Sequence, residues 1–197
     1  MPTPSLDADK NRLRQTMMRV LESISTHDAL AAGEAVSDRL ASWSHWRSSS
    51  VIALFSTLPG EVDTRPLIER AWREGKQLLL PRMLEGRTLE FAVVDDIESL
   101  RPGRFGVLEP DQGCPVLQIR ADAIVFVPGC AFDREGGRLG RGSGYYDRAL
   151  AACGDSSGRP RFMGLGFERQ IVSAVPMDSL DIRMDGVATE RDLFEVE

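Results

Sequence analysis

Residues 123–148 constrain this chain more than any other stretch. An apolar run, Ala123–Val127, stops at Pro128-Gly129, and a loop follows that carries Gly136, Gly137, Gly140, Gly142 and Gly144. Arg138 and Arg141 stand inside that loop, and a helical pattern containing Asp147 opens near Gly144. A buried strand that delivers a basic, glycine-rich loop to the start of a helix makes a place for phosphate. Glycines let backbone N–H groups approach the oxygens, the helix start adds partial positive charge, and arginines supply forked donors. Asp147 is suited to the magnesium that travels with a nucleotide. The loop is not of the Walker type, because no Gly-Lys-Ser/Thr follows, and it is not a clean dinucleotide fingerprint. A tight structural turn is the plain alternative.

The surrounding chain alternates between helical and strand patterns. Leu13, Met17, Val20, Leu21 and Ile24 follow helical spacing over about residues 9–25, and a second helix is expected from His27 to Trp43. Val51–Phe55 reads as a short buried strand broken by Leu58-Pro59-Gly60. Thr64 is expected to cap a helix with Pro66 in its first turn, running through Trp72 and closed by Gly75. Further strands are expected at Gln77–Leu80, Thr88–Val94, Ile124–Val127, Arg161–Phe167 and Gly186–Thr189, with a helix from Gly144 to Ala152. Gly154–Pro160 reads as a polar loop and not a linker, so residues 1–197 are expected to form a single domain. Strands separated by helices predict an α/β domain whose mostly parallel sheet is covered on both faces. Ligands in such sheets bind beyond the carboxyl ends of strands, which selects the loops after Phe55, Val127 and Phe167.

Composition narrows the function. A net charge of −6 argues against a nucleic-acid partner. The opening Met1-Pro2-Thr3-Pro4-Ser5 has no apolar signal core, and no run reaches membrane-spanning length. Cys114, Cys130 and Cys153 are widely spaced and fit no metal or disulfide framework, so free thiols in a reducing cytoplasm are expected. Lys10 and Arg14 lie one turn apart on a helix and read either as a solvated basic face or as an anion site. Glu61 and Asp63 follow a strand end and read as ligand residues or as acids preceding a helix start. Asp181 and Asp185 read as solvent acids or as part of a turn. His27 and His45 are isolated, and no nucleophile–base constellation is visible.

These segments resemble a known family in order along nearly the whole chain. Arg138-Leu-Gly-Arg-Gly-Ser-Gly-Tyr-Tyr-Asp-Arg148, preceded by Val127-Pro-Gly-Cys-Ala-Phe-Asp133, resembles the signature of 5-formyltetrahydrofolate cyclo-ligases, also called 5,10-methenyltetrahydrofolate synthetases. Lys10-Asn-Arg-Leu-Arg14 resembles the family's basic N-terminal helix, and Leu58-Pro-Gly-Glu-Val-Asp-Thr64 its substrate loop. Phe105-Gly-Val-Leu-Glu-Pro110, Gly164-Leu-Gly-Phe-Glu-Arg-Gln170 and Asp181-Ile-Arg-Met-Asp-Gly-Val-Ala-Thr-Glu190 resemble its later blocks. The chain departs from many relatives at Leu180 (His), Phe105 (Trp) and Ser143 (Lys or Gly).

The resemblance implies a three-layer α/β/α sandwich similar to ribose-5-phosphate isomerase and glucosamine-6-phosphate deaminase. It implies a reaction of ATP with 5-formyltetrahydrofolate, assisted by Mg²⁺, that gives 5,10-methenyltetrahydrofolate, ADP and phosphate. Lys10, Arg14 and the loop Arg138, Leu139, Gly140, Arg141, Gly142, Ser143, Gly144, Tyr145 and Tyr146 would bind ATP, with Arg141 stabilising the transferring phosphoryl group. Ser56, Leu58, Glu61 and the stretch Arg141–Tyr145 would bind the folate, and Asp147 and Asp181 the magnesium. Phe105 is a candidate to stack on the folate. The implied partners are small molecules, with no nucleic acid or membrane, acting on a monomer. A sugar-phosphate isomerase or deaminase on the same fold, and a non-catalytic binding relative, are the competing readings.

Overall fold

The structure, a computed structural model, describes residues 5–154 and 158–196. Its helices are α1 (Leu6–Glu22), α2 (Thr26–Ser42), α3 (Ser44–Ser48), α4 (Arg65–Arg73) and α5 (Tyr145–Ala151). Its strands are β1 (Val51–Ala53), β2 (Gln77–Met83), β3 (Leu89–Val93), β4 (Leu100–Pro102), β5 (Leu108–Pro110), β6 (Ile124–Pro128), β7 (Ala131–Phe132), β8 (Arg138–Leu139), β9 (Arg161–Leu165), β10 (Gly186–Ala188) and β11 (Leu193–Glu195). Serines open the first two helices: Ser5 Oγ accepts from the Ala8 N–H and Ser25 Oγ from the Asp28 N–H, which satisfies donors that a helix start leaves free.

Thr64 stands at the N-cap of α4, as expected, but its side chain makes no cap hydrogen bond. Its hydroxyl donates to the Phe55 carbonyl at 2.7 Å, tying the segment before α4 to the end of the strand. Asp63 supplies the side-chain acceptor instead, its Oδ1 accepting the Arg65 N–H at 2.9 Å. The expected strands Val51–Phe55 and Arg161–Phe167 end two residues early, where the chain turns toward the site. The polar stretch Gly154–Pro160 lies partly outside the described residues.

A seven-stranded sheet runs β11-β10-β9-β6-β1-β2-β3. Its interior pairs are parallel, and β3 and β11 close the two edges antiparallel. Strand alternation sorts the core into two layers. Ile52, Leu54, Leu78, Leu80, Ile124, Phe126, Met163 and Leu165 face α1–α4 and pack with Leu40, Trp46 and Leu67. Ala53, Leu79, Val125, Val127 and Phe162 face the other way, toward Leu150 of α5 and toward Ile119 and Met184. Both faces are therefore buried, as a parallel sheet requires. The second layer is thin: one short helix plus irregular chain.

The order of strands reverses between β1 and β6. From β1 the chain goes outward to β2 and β3, then returns to β6 on the other side of β1 and proceeds to β9 and β10. Loops leaving β1 and β6 diverge at that point and open a crevice.

Helix α2 can approach the turn before α4 because position 33 has no side chain. A Cβ on Gly33 would stand 2.0 Å from the Asp63 carbonyl oxygen, and Asp63 N–H itself donates to the Ala29 carbonyl. Gly33→Ala is expected to lower the unfolding free energy by about 2 kcal/mol or more through overpacking. Urea denaturation checks this; a variant as stable as the parent would mean that the contact yields.

Candidate active site

The crevice between the β1 and β6 ends is a cavity of about 390 Å³, within the usual range for small-molecule sites. Phe55, Leu58, Pro81, Met83, Leu89 and Val107 make an apolar wall from β1, the β2–β3 hairpin and the β4–β5 hairpin. Glu61, Arg138, Arg141, Ser143, Tyr145 and Asp147 make a polar rim opposite. Apolar body and convergent charged groups together suit an aromatic ligand that carries or meets phosphate.

The glycine loop is held from below. After β6 the chain makes the β7–β8 hairpin, whose turn is organised by the buried Asp133. Its Oδ1 accepts the N–H groups of Glu135 and Gly137, and its Oδ2 the N–H of Val175. β8 then carries Arg138 into the interior. That guanidinium donates to the Pro128 carbonyl at 3.1 Å and to Asp147 Oδ1 at 2.6 Å, and lies over the Tyr146 ring. Strand end, hairpin and α5 are thereby fixed to one another. Between them the loop turns through Gly142 (φ 98°) and Gly144 (φ 67°), a left-handed backbone that suits glycine.

Among the described residues Glu61 is, with Glu109, one of two buried acids that line the cavity. It belongs to the Leu58–Glu61 turn, where its Oε2 accepts the Leu58 N–H at 2.9 Å and its own N–H donates to the Leu58 carbonyl. Its Oε1 faces Arg141, 3.2 Å from Nη2. Burial pushes the Glu61 carboxyl above the ordinary glutamate range, and the Leu58 N–H and Arg141 offset only part of that. Burial likewise raises the Tyr146 phenol, with the Glu61 charge adding to it, so the phenol keeps its proton throughout the neutral range.

The basic helix meets the loop from the side. Arg14 Nε donates to the Gly140 carbonyl at 2.9 Å, and its guanidinium borders Gly142. Lys10 is buried, not solvated. Its ammonium lies 2.6 Å from Asp178 Oδ2 and also binds Asp181 Oδ2. Burial alone would lower its pKa, but the hydrogen bonds from Asp178 and Asp181 outweigh that and raise it.

The structure thus brings Ser56, Leu58, Glu61, Arg138, Gly140, Arg141, Ser143, Gly144, Tyr145, Tyr146 and Asp147 to one cavity. Gly142 stands just behind them against Arg14. Leu139 turns its side chain into a small core with Met17, Cys130 and Val175, so only its backbone can serve a ligand. Ser56 donates its hydroxyl to the Leu108 carbonyl, which joins the segment after β1 to the β4–β5 hairpin. The side chain of Phe105 lies outside what is described. Asp178 was missed by motif reading; it stands three residues before Asp181 and completes the Lys10 pair, a grouping that sequence distance conceals.

Asp147 and Asp181 do not share a partner: the first is bound to Arg138 and lines the cavity, the second to Lys10 and Asp178 N–H. Among the described residues no three His, Cys, Asp or Glu side chains gather as a metal cage. This donor set fits a magnesium ion that arrives with phosphate and water oxygens and borrows one or two carboxylates.

The sequence profile described as the 5-formyltetrahydrofolate cyclo-ligase family matches residues 6–190. The chain belongs to this family. The cyclo-ligase of Escherichia coli K12 is 30% identical over 166 residues, covering 83% of this chain and 90% of that one. The mouse cyclo-ligase is 26% identical and covers 96% and 98% of the two chains. The structure of Aquifex aeolicus 5,10-methenyltetrahydrofolate synthetase superposes with a TM-score of 0.80 at 32% identity, over 95% of this chain and 92% of that one. Two of this cyclo-ligase's departures, Ser143 and Leu180, are exposed positions, so neither disturbs the packing beneath the site.

The Lys10 cluster makes a test of its structural part. Asp178 is held below the ordinary aspartate range, chiefly by its hydrogen bond to Lys10. Its contribution is therefore present above pH about 4 and is lost as pH falls through the depressed value, while that of Lys10 is lost only above about pH 10.4. Lys10→Ala is expected to lower the melting temperature at pH 7 and to flatten its decline between pH 5 and 3. Thermal melts across pH check this; an unchanged melt at pH 7 would return Lys10 to a surface role.

Proposed function

We propose that these residues carry out the ATP-dependent closure of 5-formyltetrahydrofolate to 5,10-methenyltetrahydrofolate, with release of ADP and phosphate. The observation that carries this reading is the contact of Glu61 with Arg141: it joins the segment that lines the apolar cavity to the loop suited to phosphate. A formyl oxygen is a poor leaving group. Transfer of the γ-phosphoryl group from ATP to that oxygen breaks the bond to ADP and makes an iminophosphate-like centre. N10 of the folate then attacks the formyl carbon, the C–O bond breaks, and phosphate leaves with the oxygen. The folate supplies the nucleophile in both steps, so the protein needs none of its own; it aligns the groups and stabilises charge.

Each role is consistent with its setting. Arg141 is half-exposed at the cavity mouth, free to swing from Glu61 to the transferring phosphoryl group. Glu61, a buried acceptor across the cavity from the apolar wall, suits the amino and ring N–H groups of the pterin. Arg14 and the backbone of Gly140–Gly144 suit the triphosphate. Arg138 serves from behind by fixing the loop, and Lys10 by anchoring α1 so that Arg14 meets Gly140. Asp147, and Asp181 through water, would hold Mg²⁺. The ion would neutralise charge on the phosphate oxygens. Among the described residues no helix is long and apolar enough to cross a membrane, and the cysteines are free thiols; both agree with a cytoplasmic enzyme.

The test is an assay of purified protein with 5-formyltetrahydrofolate and Mg-ATP, following methenyl absorbance. Arg141→Ala is expected to lower kcat by about 100-fold or more, the effect of removing a preorganised donor from developing charge, with folate affinity changed only a few-fold. Unchanged kcat with weakened folate binding would remove Arg141 from phosphoryl transfer.

Glu61→Gln separates recognition from stability. A carboxyl whose pKa is raised by folding binds protons more readily in the folded state. It favours the fold at low pH, and that benefit is lost as pH rises through the raised value. Replacing the carboxyl by an amide therefore should leave stability at pH 7 within about 1 kcal/mol of the parent. Folate affinity should fall about tenfold or more, since charge-assisted hydrogen bonds contribute roughly 1.5–3 kcal/mol. Titration calorimetry with each substrate checks this; an equal loss for ATP would indicate a collapsed loop.

A further inference from the structure

One side chain outside the roles above joins two walls of the cavity. Arg148 follows Asp147 in the first turns of α5 and reaches back over the glycine loop. Its Nε and Nη2 both donate to the Arg87 carbonyl, at 3.0 and 2.7 Å, and Nη2 also donates to the Ser143 carbonyl at 2.8 Å. A Cβ on Gly144 would stand 2.8 Å from Arg148 Nη1, so the missing side chain there makes room for this path. Arg87 sits in the turn between β2 and β3 and has φ 59°; among the described residues it is the non-glycine residue in the left-handed region, directly after Gly86 at φ 72°. A conformation disfavoured for residues with side chains persists where its surroundings hold it, and one edge of the Arg148 guanidinium holds the Arg87 carbonyl with two donors.

The two tethered segments serve different ligands in the reading proposed above, on which this inference rests. The β2–β3 hairpin carries Met83 and Leu89 of the apolar wall, and the Arg141–Gly144 segment forms the loop for phosphate. We propose that Arg148 is a positioning residue that couples the two substrates, linking the folate wall to the ATP loop so that each substrate orders part of the other's site. Both acceptors are main-chain carbonyls, so what Arg148 sets is the placement of backbone, not contact with either substrate. A ligand that fixes one wall fixes the shared guanidinium, and the second ligand then meets a wall whose ordering cost has already been met.

The experiment measures 5-formyltetrahydrofolate binding by titration calorimetry, with and without saturating magnesium β,γ-imido-ATP, in the full-length protein. The parent is expected to bind folate at least about fivefold tighter with the nucleotide present, the low end of ordinary coupling between sites. In Arg148→Ala that ratio should fall to within about twofold of unity, while folate affinity alone changes less than about threefold. Arg148→Lys, able to reach one carbonyl but not to fork across both, should retain part of the ratio. Arg87→Gly keeps the acceptor carbonyl and should retain all of it. A full ratio in Arg148→Ala, or none in the parent, overturns the proposal. So does a loss in Arg148→Ala that appears equally without nucleotide and accompanies a fallen melting temperature, because that would make the residue structural. A parent that binds neither ligand would overturn the cyclo-ligase reading itself, and this inference with it.

Discussion

The geometry of the site depends on one buried guanidinium. Arg138 leaves β8 and meets the carbonyl at the end of β6 and the carboxylate of Asp147 at the start of α5. Without it, the end of β6 and the start of α5 would lose their shared side-chain tie, and the loop from Leu139 to Gly144 would keep only its own contacts with Arg14 and Arg148. A charge this deep is expensive to desolvate unless it is paired and hydrogen-bonded, and both conditions are met on the Asp147 side. The consequence is a division of labour between two arginines of the same loop. Arg138 is spent on structure, so Arg141, half-exposed three residues later, is the one left to move.

The architecture follows from strand alternation and from where the strand order turns back. Every interior strand offers apolar residues to both faces, so the sheet needs cover on both. The helical N-terminal third supplies one cover, and α5 with irregular chain supplies the other. Because β1 and β6 are neighbours whose following loops diverge, the segment at Glu61 and the glycine loop must face each other. The ion pair between Glu61 and Arg141 records that meeting.

Much of this was legible in the sequence. Long helices and central strands announce themselves by periodicity, and Gly75, Pro59-Gly60 and Pro128-Gly129 mark their ends. The strands of β4, β5, β7 and β8 did not, because two or three residues show no period; their pairing is decided by tertiary contacts. Thr64 takes the N-cap position that local preference predicts, but its hydroxyl is claimed by the Phe55 carbonyl, and Asp63 accepts the free N–H in its place. The site motifs pointed to a loop that lines the cavity and to a helix that touches that loop. They could not show that Lys10 is buried on Asp178 and Asp181, or that Leu139 points into the core, since a motif records residue types and not the direction in which side chains leave the chain.

The thinness of the second layer has a consequence for how such a protein can vary. Leu150 lies in the core beneath the sheet and Tyr146 packs against both core layers, so the short helix that opens at the cavity also roofs the interior. Cavity-lining loop and hydrophobic roof are one piece of chain. An insertion or deletion there would shift the register of the roof. Ser143 and Leu180 face water instead. A change of charge at Ser143, on the lining of the cavity, leaves the roof intact, whereas a change in the length of the loop would reopen the core.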